Sequence, residues 1–125
     1  MGFSYDSRIR DDYLLVTCTG APESPEEFFE YIRSSILKAR ANDIQYVLFN
    51  ESEATLKFQV YDAVLMSEML DKEGLQTYGI RGAVVCSPHD FTACKYFETS
   101  LRNRAFNVMM FDDIEKGKAW LLKDR

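Results

Sequence analysis

The sequence has few of the residues that metal sites, disulfide frameworks and membrane spans require. Of its 125 residues one is histidine and three are cysteine, and the cysteines show no CxxC spacing. These counts exclude a multi-histidine metal site, a zinc ribbon and a disulfide framework, so reduced thiols are expected. No apolar run approaches the ~18 residues of a membrane span, and no signal-peptide pattern is visible. We predict a cytoplasmic protein with no metal, no cofactor and no membrane insertion.

The sequence also has fewer basic residues than acidic ones. Fifteen Lys and Arg residues stand against twenty Asp and Glu residues, which gives a formal net charge of −5. Nucleic-acid binding depends on clustered basic residues, so we expect no nucleic-acid partner. In contrast, 46% of the residues are hydrophobic, which is enough for one self-sufficient core in a chain of this length. Residues 1–125 are therefore predicted to form a single domain.

Four short apolar runs have the length of β-strands, at residues 13–16, 46–49, 83–86 and 108–111. The last three are continuous, which is typical of parallel strands covered on both faces, and the segments between them are long enough for crossover helices. The first run follows a loosely alternating segment and a polar turn, which together predict an antiparallel hairpin. A mixed sheet results.

Helix signals fill the gaps between the strands. Ser24, Pro25 and Glu27 form a capping-box start signal. A second helix is predicted over residues 56–73, ending before Gly74, with a third after Pro88. The apolar face of the second helix is predicted to contain Phe58, Tyr61, Leu65 and Met69, and that of the third Cys94, Phe97, Leu101 and Ala105. A fourth helix, with an Asp-capped box at residues 112–115, completes an α/β chain of order ββαβαβαβα.

A family resemblance is carried by six segments in a fixed order. They are a strand ending in Gly20, the acidic helix from Pro25, and the sequences YVLFN (46–50), RGAVVCS (81–87), VMMFD (108–112) and EKGKAWL (115–121). Together they resemble a STAS domain, the fold of bacterial anti-sigma-factor antagonists, and more closely its SpoIIAA-like branch. The resemblance covers nearly the whole chain and implies a SpoIIAA-like (STAS-like) mixed sheet with an N-terminal antiparallel hairpin and βαβαβα crossovers.

The resemblance implies a non-catalytic bacterial regulatory module whose protein partner is an anti-sigma kinase or similar. In antagonist STAS domains a phosphorylatable serine lies in an Asp-Ser-Ser-Gly type motif before the second helix. That motif is missing here, and the corresponding stretch offers Ser52 and Thr55 as possible phosphosites. Glu51 and Glu53 flank Ser52 and would repel a phosphate. Alternatively, Ser52 or Thr55 only caps the second helix.

The strand ends provide a candidate ligand or partner surface. Ligands of open α/β sheets bind beyond the carboxyl ends of parallel strands, near helix N-termini. The loops at residues 50–55 and 86–90 would bring together Asn50, Ser52, Ser87 and His89, a group suited to a small anion or carboxylate. Alternatively, Ser87 or Asp90 caps the following helix and His89 is a solvated loop residue.

The predicted second helix is apolar over more than one face. The excess predicts a homodimer or protein-partner contact, a small apolar ligand beneath the helix, or wider burial in the core. We therefore extend the candidate surface over residues 50–70, which adds Glu51 before the helix and Phe58, Tyr61 and Met66 within it. An alternative function is a small-ligand domain, for an apolar or anionic ligand, with its pocket beneath residues 58–70.

A third alternative is a thiol-dependent enzyme that uses Cys86 or Cys94 with His89. Cys86 ends an apolar strand and Cys94 shares the apolar helix face, so both are better interpreted as buried hydrophobic residues. No G-x-S-x-G elbow, P-loop or G-x-G-x-x-G motif is present. We predict no catalytic residue.

Overall fold

The sheet consists of five strands that follow one another in sequence order. A computed structural model describes residues 2–123. The strands are β1 (Ser4–Arg10), β2 (Tyr13–Gly20), β3 (Tyr46–Ala54), β4 (Arg81–Cys86) and β5 (Asn107–Phe111), in the order β1-β2-β3-β4-β5. β1 and β2 form an antiparallel hairpin, and the remaining neighbours are parallel. The predicted mixed sheet and N-terminal hairpin are confirmed.

Four α-helices cover the two faces of the sheet unequally. They are α1 (Pro25–Ala41), α2 (Val60–Lys72), α3 (Phe91–Arg102) and α4 (Ile114–Leu121), with short 3-10 helices at Leu75–Tyr78 and Pro88–Asp90. The main core lies between the sheet and α1, α2 and α3, and a smaller core lies against α4. Right-handed crossovers that advance in one direction along a sheet place their helices on one face. α4 follows the last strand and covers the other face.

Side-chain alternation along β3 divides the two cores. Val47 and Phe49 belong to the main core, whereas Leu48 lies on the α4 side with Val85. Gly117 allows α4 to approach closely, because a Cβ at this position would lie 3.2 Å from Val85 Cγ2. Both faces of the central strands are therefore buried, which explains their continuous apolar sequence.

The start of α1 agrees with the sequence. Ser24 Oγ accepts a hydrogen bond from the Glu27 N–H at 3.2 Å, and Pro25 occupies the first turn. The Glu27 carboxylate accepts a hydrogen bond at 2.7 Å from the N–H of Glu23, the residue before the Ser24 cap. The spacing of Phe28, Ile32, Ile36 and Ala39 predicts one apolar face, and that face is buried together with Tyr31.

The prediction for α2 was wrong in both its start and its face. The helix begins at Val60 rather than at residue 56, because β3 continues to Ala54 and a loop follows. Asp62 Oδ2 accepts from the Gln59 N–H at 3.0 Å at the helix start. The buried residues are Ala63, Met66, Ser67 and Leu70, rather than the predicted Phe58, Tyr61, Leu65 and Met69.

Two smaller corrections concern α3 and α4. Ala105 lies beyond the end of α3 with a φ of 68°, so it does not extend that helix's apolar face. The cap of α4 is Asp113, which makes no side-chain capping hydrogen bond, so the expected capping box is wrong. Within residues 2–123, no helix combines the length and apolar character that crossing a bilayer would require.

Candidate functional site

The carboxyl end of β3 contains a buried glutamate. Thr17 pairs with Asn50 and Thr19 pairs with Glu53, so β3 has one residue more than β2 in this interval and forms a β-bulge. Glu51 lies in the bulge and is only 3% exposed. The sequence placed Glu51 on an accessible surface, and that placement is wrong. A buried carboxyl is rare without a partner or a function, so this position defines the candidate site.

The partner of Glu51 is Tyr31 of α1. Tyr31 Oη donates a hydrogen bond to Glu51 Oε2 at 3.0 Å. Edge-on contacts with Phe3 and Phe49, whose ring centroids lie 5.2 and 5.8 Å away, hold the fully buried tyrosine ring. Within residues 2–123 this is the one hydrogen bond that the Glu51 carboxyl makes. A carboxyl group has further acceptor positions and, when it is protonated, an O–H donor, and no other described residue engages these.

Burial raises the pKa of Glu51 from its usual 4.5 to about 8. Desolvation is the largest cause, the nearby charge of Asp90 adds to it, and the hydrogen bond from Tyr31 opposes it. Glu51 is therefore mostly protonated at pH 7 and gains its charge within about one pH unit of neutrality.

Asp90 connects the two loops that the sequence predicted to converge. It is 8% exposed, and its Oδ2 accepts hydrogen bonds from the Leu56 N–H at 3.0 Å and the Ser87 hydroxyl at 3.3 Å. The Asp90 carboxylate therefore accepts the hydrogen bond of the Leu56 N–H, a backbone donor that a bound anion would otherwise use. Ser87 Oγ accepts from the Asp90 N–H at 3.3 Å, so Ser87 caps the 3-10 helix Pro88–Asp90 rather than α3. Asp90 is the N-cap of α3 but makes no side-chain capping hydrogen bond, and His89 is exposed.

Three thiols are buried around the same end of the sheet. Cys18, Cys86 and Cys94 are all unpaired and buried, and burial was predicted for Cys86 and Cys94. Burial raises the pKa of Cys18 to about 12, and Glu51 contributes. A hydrogen bond with Cys94, followed by desolvation, raises the pKa of Cys86 well above its usual range. Nucleophilic cysteines need a lowered pKa, so this arrangement opposes the thiol-enzyme alternative.

A cavity of about 50 Å³ lies between the sheet and the three helices of the main core. Its walls are almost entirely aliphatic and aromatic, and Glu51 contributes the one carboxyl group among the described lining residues. A mostly apolar lining with a few polar groups is the usual composition of a small-molecule site, but such sites have volumes of roughly 300–1,000 Å³, so this cavity has room for only a few atoms.

A second cavity, of about 20 Å³, lies beneath the start of α2. Phe58 and Met66 line it with Phe28 and Phe97. Met66 is 1% exposed, so it is not part of a partner surface, and its predicted contact with a ligand beneath α2 stays a prediction. Phe58 is half-buried.

The predicted phosphosites lie before α2 and do not cap it. Ser52 is exposed in β3, and its hydroxyl donates to Asn50 Oδ1 at 2.7 Å. Thr55 is exposed, and its N–H donates to the Gly20 carbonyl at 2.9 Å. The capping alternative is wrong because α2 begins at Val60.

The part of α2 that faces solvent is apolar. Val60, Tyr61 and Val64 are exposed, and we refer to these three residues as the outer α2 patch. Tyr61 has the largest exposure of the three, at 75%. The apolar excess that the sequence showed on this helix is therefore partly at the surface.

The overall architecture matches solved structures of anti-sigma-factor antagonists. The antagonist SpoIIAA in its unphosphorylated form matches with a TM-score of 0.57 and 15% identity, covering 98% of this chain and 100% of that chain. This chain has a SpoIIAA-like fold. A second SpoIIAA-like match is an anti-sigma factor antagonist from Mycobacterium paratuberculosis, with a TM-score of 0.59, 12% identity, and coverage of 95% of this chain and 93% of that one.

A third match with the SpoIIAA-like fold is an uncharacterized DUF3478-family protein from Shewanella loihica PV-4. Its TM-score is 0.52 with 16% identity, over 96% of this chain and 94% of that chain. No protein-family model matches the sequence, and no curated protein matches it. At these identities the similarity concerns the SpoIIAA-like fold alone.

Sequence reasoning missed Tyr31 as a member of the site and recognised Asp90 only as a possible cap. Tyr31 lies three residues after Phe28, on the apolar face of α1, and that spacing was the available signal. The bulge that turns Glu51 inward has no comparable signal in the sequence.

Proposed function

We propose that this chain is a non-catalytic bacterial regulatory module that binds an anti-sigma kinase or similar protein through the outer α2 patch. The observation that carries the proposal is the exposure of Tyr61 beside Val60 and Val64. Grouped exposed apolar residues are typical of protein interfaces, and tyrosine is frequent among the residues that dominate binding energy. The fold shared with two anti-sigma-factor antagonists supports this class of partner.

Ser52 and Thr55 are the proposed regulatory hydroxyls. Both are exposed on the segment that leads into α2, so a phosphate there would add about −1.5 to −2 charges close to the proposed interface. Glu51 is buried and mostly protonated, so it adds little of the repulsion of a phosphate that the sequence suggested.

Three unpaired thiols support a cytoplasmic location, which cell fractionation tests.

Calorimetric titration against purified anti-sigma kinases of the same organism tests the interface. Tyr61→Ala is expected to weaken binding tenfold or more. Tyr96→Ala is the matched control, because Tyr96 is 53% exposed on α3, outside the patch, and we expect it to bind like the wild type. Equal losses in the two variants, or no binding by any such kinase, would contradict the proposal.

Incubation with a kinase that binds, followed by peptide mass spectrometry, tests the hydroxyls. Phosphate on Ser52 or Thr55 that disappears in Ser52→Ala or Thr55→Ala supports the switch. Sedimentation velocity addresses the other possible occupant of the patch. A homodimer that Tyr61→Ala dissociates would assign the patch to self-association rather than to a kinase.

A second candidate function is small-ligand binding in the cavity beside Glu51. The observation that favours it is the Glu51 carboxyl, which accepts one hydrogen bond, from Tyr31, and lines the cavity among mostly apolar residues. Native mass spectrometry of freshly purified protein tests it, because a bound molecule adds mass to the folded chain and is lost on denaturation.

A further inference from the structure

We propose that two copies of this chain form a weak homodimer by pairing their β1 edges antiparallel, with Ser7 of one copy opposite Ser7 of the second. The two five-stranded sheets would then join into one continuous sheet. The inference is separate from kinase binding and from the outer α2 patch. It follows from the free edge of β1, the direction of its backbone groups and the order of its side chains.

β1 is an edge strand with a free outer side. It is the first strand in the sheet order, and among residues 2–123 only β2 pairs with it. No other described residue forms a backbone hydrogen bond with it. β1 contains no proline, and its register with β2 is regular from Ser4 to Arg10. Proline and bulges are devices that keep an edge strand from pairing with another chain, so β1 lacks both.

The hairpin turn determines which backbone groups point outwards. The turn is two residues long, so Arg10 and Tyr13 on either side of it form a hydrogen-bonded pair. Successive residues of a strand direct their N–H and C=O groups to opposite sides, so those of Tyr5, Ser7 and Ile9 point away from β2. In the proposed register these are the residues that meet. Each would exchange both of its backbone hydrogen bonds with the second copy.

The charged side chains of β1 favour this register over its neighbours. Asp6 would lie opposite Arg8 of the second copy, and Arg8 opposite its Asp6. Within one chain Arg8 Nε lies 3.5 Å from Asp6 Oδ2 and both side chains are exposed, so pairing would create a group of four alternating charges. Registers centred on Asp6 or on Arg8 would use the same backbone groups but place like charges directly opposite, which is unfavourable.

The other face of β1 carries two exposed apolar side chains. Tyr5 is 45% exposed and Ile9 is 51% exposed. In the proposed register Tyr5 lies opposite Ile9 of the second copy, and an aromatic residue opposite a β-branched one is a favourable cross-strand pair. Tyr5 contacts Tyr31 of α1, with ring centroids 5.0 Å apart, so this pair lies on the face that α1 covers. Dimerisation would therefore shield both side chains from water.

The helices leave room for the second copy. On the face with Tyr5, α1 packs mainly against β2 and β3. The β2 strands of the two copies would be three strand spacings apart, which is about 14 Å. Packed helices approach to about 8–10 Å, so the two α1 helices would not collide. On the opposite face, α4 packs against β3, β4 and β5, and it lies further from the new contact.

Exchange of the charges at positions 6 and 8 tests the pairing. Sedimentation equilibrium of the wild type, at concentrations up to about 1 mM, is expected to show a monomer–dimer equilibrium. Asp6→Arg puts basic side chains opposite basic ones, and Arg8→Asp puts acidic ones opposite acidic ones, so each variant alone should dimerise at least about tenfold more weakly. A mixture of the two variants should dimerise again, because opposite charges then face each other.

The matched controls make the same changes of charge elsewhere. Asp112 and Lys116 form an exposed ion pair at the start of α4, with 3.8 Å between Lys116 Nζ and Asp112 Oδ1. Asp112→Arg and Lys116→Asp alter the net charge as the two β1 variants do, and both should dimerise like the wild type. Equal losses in the controls, or a mixture of the β1 variants that stays monomeric, would show that the β1 charges do not pair.

A disulfide test reports the register and leaves the charges of β1 unchanged. The Cα atoms of a hydrogen-bonded antiparallel pair lie about 5.5 Å apart, within the reach of a disulfide. Mild oxidation should therefore link two copies of Ser7→Cys. Ser4→Cys is the control, because Ser4 would lie opposite Arg10 and about 20 Å from Ser4 of the second copy. The native cysteines are buried, so they should contribute no cross-link.

Three results would overturn the inference. The first is a wild type that stays monomeric at about 1 mM. The second is equal cross-linking of Ser7→Cys and Ser4→Cys. The third is a dimer that Tyr61→Ala dissociates and Asp6→Arg does not, which would assign self-association to the outer α2 patch.

Discussion

Glu51 lowers the stability of the folded protein at neutral pH. Its carboxyl is removed from water and receives one hydrogen bond, from Tyr31, which does not replace full hydration. The sequence around it, Asn50 to Thr55, is polar and suggested an exposed segment. Its burial depends on a bulge and on a tyrosine twenty residues away, so neighbouring residues do not indicate it.

Replacing Glu51 should change how stability depends on pH. The unfolded chain ionises Glu51 near pH 4.5, whereas the folded chain holds the proton until about pH 8. Between these values the folded state binds more protons, so stability falls as the pH rises, by up to about 1.4 kcal/mol per pH unit. Glu51→Gln removes this contribution and should gain a few kcal/mol over the wild type between pH 5 and pH 8. Urea denaturation at four pH values measures it, and parallel curves for the two proteins would rule it out.

The thiols should be inert in the folded protein. Cys18 and Cys86 are buried and their pKa values are raised, so neither forms a thiolate at neutral pH. Iodoacetamide at pH 7.5, followed by mass spectrometry, should label none of the three cysteines until guanidinium is added. Labelling of Cys86 or Cys94 at the rate of a free thiol would restore the enzyme alternative.

At the scale of elements, the error in the buried face of α2 arises where a small polar residue packs in the core. Ser67 is fully buried in α2 because its hydroxyl donates to the Ala63 carbonyl at 2.8 Å. A pattern based on large apolar residues therefore chose the wrong face of the helix. α1 was predicted correctly because its cap and its large buried residues give the same answer.

Helix capping provides a matched pair of variants. Ser24→Ala removes the acceptor of the Glu27 N–H and should destabilise the protein by about 1 kcal/mol. Asp113 caps α4 without a side-chain capping hydrogen bond, so Asp113→Ala should cost only a few tenths of a kcal/mol. Urea denaturation of both variants measures the difference. Equal costs would show that the Ser24 hydrogen bond contributes nothing.

At the scale of the whole molecule, the order and type of the elements followed from the sequence, but the place of the cavity did not. Ligands bind at the strand ends of open sheets where the strand order reverses and neighbouring helices diverge. Here the order runs from β1 to β5 without reversal. The cavity lies instead within the main core, between the sheet and its three helices.

The cavity beside Glu51 should also make the stability of this protein sensitive to pressure. Unfolding collapses empty space, so hydrostatic pressure favours the unfolded chain by a volume change on the order of tens of mL/mol. Gly82→Ala adds a methyl group at contact distance from Phe49 and Val108, and it should reduce that volume change. High-pressure NMR of the two proteins measures the difference, and identical values would mean that solvent already fills the void. If the volume change is smaller in Gly82→Ala, the space beside Glu51 contributes to the pressure at which this protein unfolds.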